Sequence, residues 1–276
     1  MSVKKRGIRL IAAFLAFLCC AGVLFCLAEI WPQQSESKKG ILGEDGGLKI
    51  DYSHASDGYI MVKGPKTNKR LKLRIKFGDE TLTYDLNGKG EYEVFPLQLG
   101  SGKYKVILYR NVSGNKYSEM DSFYVTAELT SENAAFLCPN QYVNYNPDTP
   151  AVAKAHELCA GLQTDLGKFN AITGYIEGDG AFSYDYVRAV QVKGGDLPDI
   201  ETCWKKRMGI CQDLAAMVVC MLRVENIPAK LVIGYADKNY HAWVLAYIDG
   251  KEVFYDPTAA INAISRVSTY IPERFY

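Results

Sequence analysis

From Gly58 to Leu129, apolar and polar positions alternate with a period of two. Leu71, Leu73, Ile75 and Phe77 fall on one face, and the pairs Leu82/Tyr84 and Tyr92/Val94 and the trio Tyr104, Val106, Leu108 repeat the pattern. Turn signals separate the runs: Gly64-Pro65, Asn87-Gly88, Gly100-Ser101-Gly102 and Ser113-Gly114-Asn115. A strand shows its side chains to alternate faces, so this rhythm buries every second residue. Short strands with a turn roughly every 10 residues predict a small antiparallel, Ig-like β-sandwich over 50–130. No cysteine lies in this stretch, which excludes an immunoglobulin-type disulfide.

The rhythm changes near Ser131. Ala151 to Lys168 has helical spacing, with Val152, Ala155, Leu158, Cys159 and Leu162 on one side. Gly174–Gly180 and Gly194-Gly195-Asp196 with Pro198 read as loops, and Tyr184-Asp185-Tyr186-Val187 as a short extended or turn segment. Cys211 to Val224 predicts a second helix, with Ala215, Val218, Val219 and Leu222 as its buried face. Gly234 then opens a series of short strands, in which Asp249-Gly250 marks a tight hairpin. A helix followed by strands in one core gives an α+β fold for a second domain over 131–276.

Two segments precede the sandwich. Within 1–31, the cations Lys4, Lys5, Arg6 and Arg9 are followed by an uncharged run from Leu10 to Ala28. That run exceeds the about 7–15 residues of a signal-peptide core. It also reaches the about 17–25 residues with which a helix spans a bilayer. The segment is therefore either an uncleaved signal anchor or a signal peptide cleaved near Cys26-Leu27-Ala28. The basic flank stays in the cytoplasm, so both readings place the rest of the chain outside, tethered to the cell membrane or secreted. Residues 32–49, rich in Gln, Ser, Lys and Gly, read as a linker.

A length of 276 residues suits two domains. The formal net charge is +1, and the four N-terminal cations account for it. No basic stripe is evident along the sequence, so nucleic acid is not an expected partner. Of eight cysteines, Cys19, Cys20 and Cys26 belong to the apolar run. The remaining Cys138, Cys159, Cys203, Cys211 and Cys220 are odd in number, which in an exported protein points to a free thiol. If Cys211 is that thiol, the others could pair in three ways or stay as small core residues. There is no CxxC, and only His54, His156 and His241 are available, so neither a metal nor another cofactor is expected.

Cys211 is preceded by Gly209, which allows a sharp turn into the helix. At a helix start, orphan N–H groups and the helix dipole favour a thiolate, and Asp213 in the first turn suits the same dipole. Cys220 lies nine positions on, about half a turn round, and points away. Tyr240-His241-Ala242-Trp243-Val244 alternates like a strand, so His241 and Trp243 share a face. An imidazole beside a thiol can accept its proton and return it to a leaving amine. Asp256 ends the apolar run Val253-Phe254-Tyr255, where it could hold the ring in one tautomer. Taken singly, each residue has a plainer reading: a core cysteine, a packed strand histidine, a cap before Pro257.

Together they resemble the transglutaminase-like superfamily. The matching residues are Gly209-x-Cys211-x-Asp213-x-Ala215, then Asn226-Ile227-Pro228-Ala229-Lys230 with Gly234-Tyr235, then His241-Ala242-Trp243-Val244 and Tyr255-Asp256-Pro257-Thr258. Tyr184-Asp185 is similar to a short motif that often precedes the cysteine loop. The resemblance covers about Ala151 to Ala260. It implies a Cys-bearing helix packed on an antiparallel sheet, with Cys211 as nucleophile, His241 as base and Asp256 as orienter. It further implies acyl transfer through a Cys211 thioester. Two places after Trp243, where many members have an acidic residue, this chain has Leu245. The backbone N–H of Cys211 is one expected oxyanion donor; Trp204 and Gln191 are candidates for the second. The expected substrate is a peptide, protein or cell-wall amide, with hydrolysis favoured over cross-linking because an outward-facing enzyme meets water as the abundant acceptor. The alternative is a non-enzymatic cell-surface module that keeps the fold. His156 and His54 are expected to have no role in the chemistry.

Overall fold

The alternating stretch and the residues just before it form, among the described residues, eight strands in two antiparallel sheets. They are β1 (Ile41–Gly43), β2 (Lys49–Asp51), β3 (Tyr59–Lys63), β4 (Leu71–Phe77), β5 (Glu80–Leu86), β6 (Tyr92–Pro96), β7 (Gly102–Ser113) and β8 (Lys116–Ala127). One sheet runs β1-β2-β3-β6 and the other β5-β4-β7-β8. This computed structural model describes residues 31–35, 39–262 and 267–276, so the expected signal anchor or cleaved signal lies outside the described residues. Within them no helix is long and apolar enough to cross a membrane.

Ile50, Ile60, Val62 and Phe95 of one sheet share a core with Leu71, Leu73, Ile75, Val106 and Leu108 of the other. Tyr104 is fully buried near the start of β7. Its hydroxyl donates to the Gly100 carbonyl at 2.6 Å and accepts from the Leu99 N–H at 3.2 Å. A tyrosine bonded back to the chain just upstream is the corner device of Ig-like sandwiches. The linker expected over 32–49 is corrected: it contains β1 and reaches β2, and Leu48 is fully buried. Three-residue strands are too short to register as alternation. The alternation of β4 has a second consequence, which a whole-chain charge count hides. Lys72, Arg74 and Lys76 lie between the buried residues of β4, with Lys105 opposite Lys76. Tyr109 lies beneath Arg74 and Tyr124 beneath Lys103, so this sheet face is locally basic.

The C-terminal part is α+β, as expected. Its elements are α1 (Pro150–Cys159), α2 (Asp165–Glu177), β9 (Ser183–Tyr184), α3 (Tyr186–Ala189), α4 (Ile200–Lys206), β10 (Met208–Gly209), α5 (Cys211–Val224), β11 (Ala229–Ala236), β12 (Asn239–Ile248), β13 (Lys251–Tyr255), α6 (Pro257–Ile261) and β14 (Tyr270–Phe275). The sheet order is β13-β12-β11-β14, all antiparallel, while β9 and β10 make a short parallel pair. The single helix expected over 151–168 is instead two. Gly161 turns the chain at φ +80°, and Thr164 restarts it by accepting the Gly167 N–H at 3.1 Å. Gly174 lies inside α2, so the loop expected from that residue begins later.

Helix α5 is the axis of this half. Every residue from Leu214 to Leu222 is fully buried, so the helix is enclosed all round rather than along one face. At its end the buried Arg223 guanidinium donates to the carbonyls of Ala229 at 3.0 Å, Cys138 at 2.5 Å and Tyr276 at 2.8 Å. It thereby ties α5 to the start of β11, to the segment leaving the sandwich and to the end of β14. Burial lowers its pKa below the ordinary guanidinium value. The five cysteines of the described residues are all free, and four are buried. Burial pushes the thiols of Cys138, Cys159 and Cys203 up to about 12.

Candidate active site

Cys211 is the first residue of α5, half-buried at the N-terminus of a helix whose leading N–H groups have no intrahelical acceptor. Two residues hold it there. Gly209 was expected to supply a turn, yet its backbone is ordinary and its role is close approach. A Cβ at this position would lie 2.7 Å from Cys203 Sγ and 3.0 Å from Asp213 Cβ. Gly209→Ala is therefore expected to cost about 1–3 kcal/mol by overpacking. Removing the Cys203 sulfur as well, in Gly209→Ala/Cys203→Ala, should recover only part of this, because the contact with Asp213 remains. Urea midpoints of the two variants test it.

Asp213 does more than suit the helix dipole. It is fully buried. Its Oδ2 accepts the Ile210 N–H at 2.9 Å and the Arg188 guanidinium, and its Oδ1 accepts the Asp199 N–H at 2.9 Å. An acidic side chain at N3 reaching back to the N-cap N–H is half of a capping box. Burial raises the carboxyl pKa, while the Asp199 and Ile210 N–H groups and Arg188 pull it down; burial prevails.

His241 lies on β12, opposite Gly234 of β11. Its Nε2 donates to Asp256 Oδ2 at 2.8 Å. The Cys211 thiol is near enough to the same ring to raise its pKa, and with Nε2 taken by Asp256, Nδ1 is the nitrogen left for it. The structure thus brings the three sequence-read residues together. Burial disfavours the imidazolium, but the hydrogen bonds to Asp256 and Cys211 and their charges outweigh it, raising the His241 pKa to about 9. Trp243 is buried beside the imidazole at a ring separation of 6.4 Å.

Asp256 follows β13 directly, across the Asp249-Gly250 hairpin, both of whose residues have positive φ. Its carboxylate makes the contacts of both readings, one with each oxygen. Oδ1 caps α6 by accepting the N–H groups of Thr258 at 2.9 Å and Ala259 at 3.0 Å, while Oδ2 serves His241. Burial raises its pKa, yet His241, the Ala259 N–H and Tyr270 together hold it below the ordinary value.

Tyr270 was not read from the sequence. Its hydroxyl donates to Asp256 Oδ2 at 2.8 Å, and its ring stands 5.1 Å from Trp243 and 4.6 Å from Phe254. It arrives on β14, which passes so close to β11 that a Cβ on Gly234 would lie 2.1 Å from the Ile271 carbonyl oxygen. Gly234 therefore sits inside β11, not at its start, and is the glycine that admits Tyr270 to the site. Tyr184 is the other half-buried neighbour. It pairs with Gly209 between β9 and β10, and burial, then the proximity of Cys211, push its phenol up to about 12.

The two candidates for a second oxyanion donor fare differently from Cys211. Trp204 is a packing residue, 4.0 Å above the Arg207 guanidinium and near Tyr175 and Phe182. Gln191 is exposed, its backbone N–H bonded to Arg188. His156 Nδ1 meets Glu225 at 2.8 Å and His54 Nδ1 meets Asp57 at 2.9 Å, both away from Cys211.

Residues 152–257 match the family model of the transglutaminase-like superfamily. No curated protein matches the sequence. Among solved structures the chain is similar to a candidate cysteine protease from Cytophaga hutchinsonii, at 16% identity over 72% of this chain and 78% of that one, with a TM-score of 0.39. It is also similar to the periplasmic domain of TgpA from Pseudomonas aeruginosa bound to ethylmercury, at 17% identity over 74% and 73% of the two chains and a TM-score of 0.38. A third is a TGase, at 17% identity over 44% of this chain and 32% of that one, with a TM-score of 0.32. With Cys211, His241 and Asp256 all inside the matched stretch, residues 152–257 of this chain form a transglutaminase-like domain.

Proposed function

We propose that the chain is a cysteine-dependent amide hydrolase acting on a peptide, protein or cell-wall amide through a Cys211 thioester. The observation that carries this is the grouping at the start of α5: a half-buried thiol near enough to an imidazole to raise its pKa, the ring's Nε2 being held at 2.8 Å by a buried carboxylate. Cys211 Sγ attacks the amide carbonyl carbon, and the carbonyl oxygen gains charge beside the N–H groups that open α5. His241 passes its proton to the leaving amine as the C–N bond breaks. Water then adds to the thioester and the acid departs, which restores the thiol. Asp256 holds the imidazole in place throughout and favours its charged form until the proton is handed to the amine; the neutral ring then takes a proton from the attacking water and returns to its starting state. The N-terminal apolar run supports an exported chain, tethered to the membrane or released by cleavage, with these residues outside. The residues over 50–130 would then be an accessory β-sandwich and 131–276 the catalytic part.

The sign of the His241 shift gives a pH prediction. The imidazolium is the form that can protonate a leaving amine, and here it persists to about pH 9. Hydrolysis should fall as pH rises through about 9, well above the 6.5 of an ordinary histidine. The same raised pKa contributes folding stability that is complete below about pH 6.5 and is lost as pH rises through the folded value. A pH profile of kcat/KM beside thermal midpoints reads both.

The reading is tested by incubating the full chain, in neutral detergent, with unstructured peptides and cell-wall fragments and measuring new primary amines. Iodoacetamide labelling at neutral pH is followed by mass spectrometry in parallel. Amine release, with Cys211 labelled far faster than the four buried cysteines, supports a hydrolase. No turnover, with Cys211 no more reactive than the others, would leave the chain a binding module.

A further inference from the structure

Large apolar side chains stand exposed in one short stretch just upstream of the nucleophile. Tyr186 and Val187 are each 68% exposed and Val190 85%. Helix α3, which carries the first two, buries none of its residues. Contiguous exposed apolar surface is uncommon and marks a place where something binds.

The stretch is nevertheless held firmly, through its polar groups. The Asp185 N–H donates to the Gly209 carbonyl at 2.9 Å, and the Asp185 carboxylate caps α3 by accepting the Arg188 N–H at 2.9 Å. The Arg188 guanidinium reaches Asp213, and the Asp199 N–H donates to the same carboxylate at 2.9 Å. Gln212 Nε2 donates to the Asp196 carbonyl at 3.1 Å. All of the anchor points, Gly209, Gln212 and Asp213, lie within two residues of Cys211. An aromatic step joins the stretch to the site: Tyr184, beside Gly209, meets Tyr186 edge-on at 5.0 Å. Polar groups are spent on fixing the segment to the nucleophile loop, and the apolar ones are left facing outward.

We propose that residues 186–190 form an apolar shelf that receives the substrate side chain next to the scissile amide. The substrates are then peptide segments with an aliphatic or aromatic residue at that place, rather than an acidic or basic one. This rests on the hydrolase reading. The occupant is the substrate because the shelf joins the nucleophile loop through Tyr184, which pairs with Gly209, is close enough to Cys211 for the thiol to raise its pKa, and meets Tyr186 edge-on.

The test separates the two claims by using irreversible labels instead of turnover. The full chain in neutral detergent is treated with a peptidyl chloromethyl ketone ending in Leu-Phe, with one ending in Gly-Asp, and with iodoacetamide. Second-order rates at Cys211 are read by mass spectrometry. The Leu-Phe label should react about 10–100-fold faster than the Gly-Asp label, the range that apolar side-chain discrimination supplies. In Tyr186→Ser/Val187→Ser/Val190→Ser the ratio should fall to within about 3-fold, with the iodoacetamide rate unchanged. Val190→Ser alone should move it part of the way, which guards against a folding defect in the triple variant. A ratio near one in the wild type, or a ratio untouched by the substitutions, overturns the shelf. A slow iodoacetamide rate with no amine release from any peptide overturns the hydrolase reading instead, and leaves the ratio still readable.

Discussion

Asp256→Asn is expected to lower kcat/KM for amide hydrolysis by about 10²–10⁴-fold while the protein still folds. The reason lies in the four hydrogen bonds that the carboxylate accepts, two at each oxygen. An asparagine has one acceptor oxygen. If that oxygen keeps the cap of α6, the amide NH2 faces His241 Nε2 and the Tyr270 hydroxyl, both of which donate in the native site. His241 must then place its proton on Nδ1, the nitrogen that has to receive the Cys211 proton. If the amide flips, the ring keeps its partner but the N–H groups of Thr258 and Ala259 lose theirs, at about 1–3 kcal/mol. Either way the carboxylate charge that keeps the imidazole protonated is gone, so the alkaline limb should also move below about 9. Tyr270→Phe removes one of the four donors and leaves the other three, so its effect on activity should be at most about tenfold. An Asp256→Asn enzyme within a few fold of the wild type would mean that Asp256 is a helix cap and no more.

How far the site could be read in advance depended on the range of the contact involved. The alternation of Leu71, Leu73 and Ile75 and the Asp249-Gly250 turn are local, and both specify their structure. Cys211, His241 and Asp256 each carried a plainer alternative, and only their order along the chain singled them out. Asp256 shows why such alternatives do not exclude one another: a carboxylate has two oxygens, and here one caps a helix while the other orients an imidazole. Tyr270 was hidden because β14 contains Pro272, which removes a ladder donor and argues against a strand unless it is an edge. In the sheet β14 is indeed an edge strand, beside β11. Gly209 was misread because its need for a missing Cβ is set by Cys203, six residues upstream and brought alongside only by folding. The basic face of β4 and β7 escaped a charge count because alternation separates its cations in sequence and pairing reunites them in space.

Asp213→Ala is expected to destabilise the domain by about 3–5 kcal/mol, the range for removing one partner from a buried ion pair. Asp213 is fully buried, and its loss strands two backbone N–H groups and a guanidinium. Arg188 is partly exposed and can turn toward water, but the Ile210 N–H is enclosed and cannot. The damage is therefore directed at the N-cap of α5, one residue before the nucleophile. Cys211 labelling by iodoacetamide should slow even at temperatures where the variant stays folded, because the thiol is no longer held against His241. Asp213→Asn keeps an acceptor oxygen and loses the charge. Paired with Arg188→Met in a double-mutant cycle, it separates the ionic part of the interaction from the capping part. A strong coupling with Arg188 would show that the ion pair dominates, and additive effects would assign the stabilisation to the two backbone bonds. A loss below about 1 kcal/mol in Asp213→Ala would mean that water replaces the carboxylate in the loop, and the placement of Cys211 would then rest on the packing of Gly209 against Cys203 alone.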